Sequence, residues 1–181
     1  MSGFADRMVR AARLDPAVYE EVEADTTAMG QAIGVVVLSS LAAGIGAFGT
    51  QGAAGLLVGT IGALLGWLLW ALLIYLIGAK LMPEPQTETD YQELLRTIGF
   101  SSTPGLIRIF GVIPGLQLIL SLVATIWMLV AMVVAVRQAL DYESTGRAVG
   151  VCVIGWLIQV LVLAGFLTLV GGMQGPPGPG P

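Results

Sequence analysis

Arg108 is the one charged residue embedded in apolar sequence, in "RTIGFSSTPGLIRIFGVIPGLQ", residues 96–117, between Pro104 and Pro114. A guanidinium placed beside a helix start at Pro104, Gly105 and Leu106 has the chemistry to hold an anion or a lipid phosphate. The competing expectation is that Arg108, only about 9 Å of helix from Pro114, extends to the outer headgroups. Little else in the chain is equipped for chemistry. There is no histidine and no asparagine, and Cys152 is the single cysteine, so a thiol pair, an imidazole base and a zinc cage are excluded within one chain. The polar residues inside the apolar runs are Ser39, Ser40, Thr60, Thr125, Gln159 and Thr168, with no carboxylate among them, which disfavours a proton or cation relay. Trp67, Trp70, Trp127 and Trp156 read as packing or interface residues rather than a ligand cage. A catalytic residue, a cofactor, a metal ion and a nucleic-acid partner are therefore not expected.

These residues need a membrane to position them. The chain is 56% hydrophobic and 11% charged, against roughly 25% charged in an ordinary soluble domain. The expected fold class is an all-α polytopic helix bundle in a lipid bilayer, with five transmembrane helices at about 29–48, 53–79, 90–113, 115–136 and 148–170. Four of these are plain apolar runs. The third is broken: the periodicity of Tyr91, Leu94, Leu95 and Ile98 predicts an amphipathic helix, with a capping box at Thr89 and Gln92, followed by a second helix from Pro104, capped by Ser102 or Thr103. Residues 104–113 alone rise only about 15 Å, so 90–113 must cross as one interrupted span shielded by its neighbours, or else dip and return.

Ahead of the first span, residues 1–28 predict two short helices. In 4–14, Phe4, Met8, Ala11 and Ala12 share one face and Asp6, Arg7, Arg10 and Arg13 the other, the pattern of an interfacial helix. Asp15 and Pro16 then read as N-cap and first residue of an acidic helix, expected to be solvated on its glutamate face and without a partner there. No signal peptide or lipidation motif is visible, so insertion is expected to rely on the first span. The tail 171–181, rich in glycine and proline, reads as disordered.

Basic residues stay on the cytoplasmic side of short loops. Arg7, Arg10 and Arg13 precede span one, Lys80 and Arg96 follow span two, and Arg137 and Arg147 bracket the last polar loop, whereas 49–52 and 112–116 are uncharged. With the N-terminus inside, Arg137 falls inside only if the chain crosses once between Lys80 and Gly115. The predicted topology is N-terminus in and C-terminus out, in the cell membrane, with Arg137, Asp141 and Arg147 as contacts of the last cytosolic loop.

Gly55, Gly59, Gly62 and Gly66 form one bare stripe along span two, the kind of surface that lets helices approach closely. Packing inside the chain is the expectation, with a homo-oligomer or another membrane protein as alternative occupant.

The segments "RLDPAVYEEVEAD", "LRTIGFSSTPGLIRIFGVIPGL" and "WMLVAMVVAVRQALDYESTGRAVGVCVIGWL" resemble the prokaryotic branch of the Ypt-interacting-protein (YIP) domain family, over roughly residues 10–170. The resemblance implies five spans, a cytosolic N-terminus and no catalytic activity, hence a membrane-organising or trafficking-like scaffold. The alternative is a small transporter or lipid-handling protein using the broken span and Arg108. Eukaryotic members act through Rab-type GTPases, but the Asp-Leu-Tyr-Gly-Pro signature is absent here, so Rab binding is not expected.

Overall fold

The computed structural model describes residues 3–173, apart from the side chains of 48–51 and of several residues beyond 162. Helices α1 (Phe4–Ala12) and α2 (Pro16–Ala24) lead through a short 3-10 turn into α3 (Met29–Gly46). Then follow α4 (Phe48–Ile74), which continues as a π-helical segment Tyr75–Leu81, α5 (Tyr91–Phe100), a 3-10 segment Thr103–Val112, α6 (Gln117–Ala139) and α7 (Thr145–Met173). Among the described residues there is no strand. Four helices are long and apolar enough to cross a membrane: Thr26–Gly46, Gly52–Leu81, Gln117–Ala139 and Thr145–Val162. The predicted tail from 174 onward lies outside the described residues; up to Met173 the chain is still α7.

Local sequence accounts for the helix ends. Asp15 accepts from the Ala17 amide at 3.0 Å and Pro16 stands at the first helical position, as expected for α2. The capping box of α5 is one residue later than predicted. Asp90 accepts from the Gln92 and Glu93 amides, and Glu93 accepts from the Asp90 amide at 2.8 Å, leaving Thr89 outside. Both registers fit the pattern, and a carboxylate at the cap also complements the helix dipole. Gly52 (φ 62°) breaks the start of α4, and Gly115 (φ 85°) turns the chain into α6.

The segment from Thr103 is not the α-helix predicted but a 3-10 run of 10 residues, with no side-chain cap from Ser102. At about 2.0 Å per residue it spans about 20 Å, further than an α-helix of that length. Together with α5 the broken stretch reaches about 35 Å.

That stretch lies alongside α3 in the same direction. A Cβ on Gly99 would stand 3.3 Å from the Ala32 Cα, one on Gly105 would meet Ser39, and one on Gly46 would stand 3.5 Å from the Gly111 Cα. From Ala32 to Gly46 is about 21 Å of helix. α6 begins beside the end of α3, where Gln117 and Ala47 share a cavity wall, and returns antiparallel until Leu140 meets Gly78 at the end of α4. The core centres on α5: Leu94, Ile98 and Phe100 are fully buried against Val35, Ile74, Val136 and Val22. Large apolar side chains such as Leu57, Leu118 and Leu161 point outward, the inverse of a water-soluble fold.

Candidate functional site

Two features stand out from the apolar bundle: a charged layer at one end and a polar cleft in its interior.

The charged layer joins the first two helices to the bundle. Arg7 lies on the polar face of α1, yet its side chain is 2% exposed. Its Nε donates to Glu21 (3.0 Å), its Nη2 to Asp25 (2.7 Å) and its Nη1 to Gln31 of α3 (3.0 Å). Arg10 pairs with Asp15 (2.8 Å) and with Glu21 (2.6 Å). The Thr27 hydroxyl and Arg7 hold Asp25 down to about 2. α2 is therefore not the solvated helix predicted. Glu21 is clamped by Arg7 and Arg10 of α1, Glu20 accepts from Gln138 of α6, and Val18, Tyr19 and Val22 are fully buried. Arg96 of α5 donates to the carbonyls of Val22 and Glu23, satisfying the end of α2.

Glu23 is the strained member of this layer. Its Oε2 is buried without a hydrogen bond, and burial, then the charges of Asp141, Glu20 and Glu93, push the carboxyl up to about 8 against the pull of Arg96. A folded-state value above the unfolded 4.5 means that the folded protein holds the proton more tightly. The resulting stabilisation is full below pH 4.5 and is lost as pH rises to about 8. Glu23→Gln is expected to raise the unfolding temperature of detergent-solubilised protein at pH 8.5 while leaving it unchanged at pH 4.5. Equal effects at both values would show that Glu23 ionises freely.

The predicted loop contacts are used inside the chain. Arg137 donates to the carbonyls of Tyr142 and Glu143 and to Thr145 Oγ1, closing the turn after α6. Arg147 donates to the carbonyls of Met82 and Pro83 and stands 3.5 Å from Glu84. The Asp141 carbonyl accepts from Gln86, and the Tyr142 hydroxyl bonds the carbonyls of Gly78 and Met82 at the π-helical end of α4. Together these bonds fasten loop 137–147 to loop 82–90.

The interior cleft measures about 430 Å³ between α3, α4, α6 and α7. Arg108, Ser39, Ser40, Ser102 and Gln159 line it, beside Trp67 and Trp70. Arg108 also lines an adjoining cavity of about 260 Å³ with Gln117 and Ser121, near the start of α6. Arg108 does not extend outward along its own segment. Its Nη2 donates to Thr125 Oγ1 at 3.1 Å, and Thr125 sits about 12 Å along α6 from Gln117. Pro104 and Gly105 are buried; Gly105 touches Ser39 and Met128, so that it serves close packing against α3 and α6 rather than an open helix start.

The glycine stripe lands on the same cleft. Gly55, Gly59 and Gly66 line it, and a Cβ on Gly59, Gly62 or Gly66 would meet no atom within 4 Å. The close packing expected there is made elsewhere, by Gly46, Gly78, Gly99 and Gly105. Sequence reasoning missed this set because each of these glycines meets a segment distant in the chain. It missed the Arg7 layer too, although the spacing of Arg7 and Arg10 against Glu21 and Asp25 carried a signal of complementarity.

The profile of the Yip1 domain matches residues 15–171. No curated protein and no solved structure matches the chain.

Proposed function

Since the chain belongs to the Yip1 domain family, we propose that it is a non-enzymatic multi-pass membrane protein of five crossings that organises partners through a cytosolic charged layer. The supporting observation is the distribution of charge in the folded chain. All 12 acidic residues and all the basic ones except Arg108 lie in 3–28, 80–100 and 137–147, and these three segments meet at one end of the bundle. The turns at the opposite end, 47–52 and 112–116, carry no charge.

Arg7 and Arg96 are buried and Arg10, Arg137 and Arg147 half-buried, leaving Arg13 and Lys80 as the exposed basic residues of the layer against Asp6, Glu20, Glu88, Asp90, Asp141 and Glu143, so its outer surface is predominantly acidic. Such a surface is repelled by anionic lipid and suits a basic protein segment. The direction shared by residues 99–111 and α3 supports a crossing between Lys80 and Gln117; five crossings would put the termini on opposite sides, and the basic residues of the charged layer favour the N-terminus inside.

Sidedness tests the topology. In a Cys152→Ala background, Ser144→Cys is expected to be protected from an impermeant thiol reagent on intact cells and Gln174→Cys to be labelled. The reverse labelling would mean that 90–113 turns back. For the scaffold role, reversing charge at Glu20, Glu88 and Glu143 together is expected to change the proteins crosslinked to the chain in its native membrane. An unchanged crosslinking pattern with normal folding would sink that role.

A further inference from the structure

We propose that the interior cleft is a phospholipid site, with the phosphate held by Arg108 and assisted by Ser102 and Gln159, and an acyl chain lying on the bare glycine face of α4.

Among the described residues every ion pair lies in the charged layer, and Arg108 has none. Its only side-chain partner is a neutral hydroxyl, Thr125, whose own hydrogen goes to the Ser121 carbonyl at 2.7 Å. A guanidinium carries five N–H donors in a planar fork that matches phosphate oxygens. Four of the five have no protein partner among the described residues, and the side chain lines a cleft between apolar helices, where an unpaired cation is costly. Among the described residues no carboxylate pairs with Arg108.

The surroundings match an anionic amphiphile. Among the described residues, the side chains of Ser102 and Gln159 make no hydrogen bond within the protein, so both retain donors for a phosphate oxygen. Ser39, only 4% exposed, faces the same space. Apart from Ser40, whose hydroxyl donates to the Val37 carbonyl, the remaining wall is apolar, including Leu56, Trp67 and Met128, and the volume is in the range of sites for small molecules. Without side chains at Gly59 and Gly66, α4 leaves a channel there instead of filling it. The adjoining cavity at Gln117 and Ser121 joins Arg108 to the neutral end of the bundle, where bilayer phosphates lie. A bilayer offers its phosphate attached to the apolar chain that this wall accepts, which a dissolved anion does not.

The test uses the full chain purified in a mild glycoside detergent and exposed to phosphatidylglycerol, to phosphatidylcholine, to the neutral lipid diacylglycerol, or to inorganic phosphate alone. Native mass spectrometry counts the lipids retained. The parent protein is expected to keep one phospholipid of either headgroup and no diacylglycerol. Arg108→Gln is expected to weaken retention about tenfold or more, with Arg108→Lys in between. Should Arg108→Gln fail to fold, Gly59→Leu keeps Arg108 and fills the channel, with loss of the retained phospholipid expected in a folded protein. Equal retention of diacylglycerol, or unchanged retention in folded Arg108→Gln or Gly59→Leu protein, overturns the proposal. So does stabilisation by inorganic phosphate without a lipid adduct, which would make the cleft a site for dissolved anions. Sidedness does not enter this test, so its failure is distinct from failure of the five-crossing topology.

Discussion

Arg7→Ala is expected to destabilise the protein by about 3 kcal/mol, the lower end of the range for removing one member of a buried ion pair. Arg7 ties α1 to both α2 and α3, reaching Glu21, Asp25 and Gln31 at once. Removing it leaves Asp25, whose side chain is 10% exposed, without its guanidinium; Glu21 keeps Arg10, which limits the loss. Arg10→Ala should cost much less, because its side chain is 26% exposed and solvent replaces much of the interaction. Arg7→Lys should fall between the two, since an ammonium cannot span three acceptors in a fixed plane. Denaturant unfolding in detergent gives the three values, and trypsin cleavage after Arg10 or Arg13 reports whether α1 has detached. If Arg7→Ala and Arg10→Ala cost the same, α1 is held by its apolar face alone.

Gly46→Ala is expected to cost about 3 kcal/mol, at the upper end for overpacking. The added methyl would overlap the Arg108 carbonyl oxygen, with the Gly111 Cα 3.5 Å away, so it meets backbone of the 3-10 segment rather than a side chain. No rotamer change relieves that contact; α3 and the 3-10 segment must separate, carrying Arg108 with them. Gly105→Ala meets the Ser39 hydroxyl and the Met128 sulfur, side-chain atoms able to move, and should cost less. Gly62→Ala has open space and should be neutral, or stabilising by up to about 1 kcal/mol from helix propensity. The order Gly46, Gly105, Gly62 can be measured by thermal unfolding of the three variants. A Gly62 variant as unstable as the Gly46 one would mean that the stripe on α4 is packed.

This ordering reverses what spacing suggests. Gly59, Gly62 and Gly66 of the regular repeat have open space where a side chain would stand, whereas Gly46, Gly78, Gly99 and Gly105, which follow no repeat, hold the helices in contact. Helix-surface spacing marks a stripe as small but carries no information about whether anything lies against it. Arg108 gives the same lesson. Its position near Pro114 suggested reach toward the headgroups, but its direction follows from the hydroxyl of Thr125, 17 residues further on.

What the sequence determined is what local and one-dimensional physics controls. Hydropathy over a helix length located the four plain spans to within a few residues, because an apolar run of that length has no other stable home. Proline, aspartate and the period of 3.6 located α1, α2 and α5, because capping and amphipathicity act within a turn or two. The near absence of reactive side chains is compositional and needed no fold. The tertiary structure alone decided the partners. Arg7 finds Glu21, Asp25 and Gln31 across a turn, Arg96 finds the end of α2 more than 70 residues away, and the 3-10 segment 103–112 sets its glycines against α3. Pairing energies depend on which faces meet after folding, and a charge or a glycine acquires its role only when the opposing surface is in place.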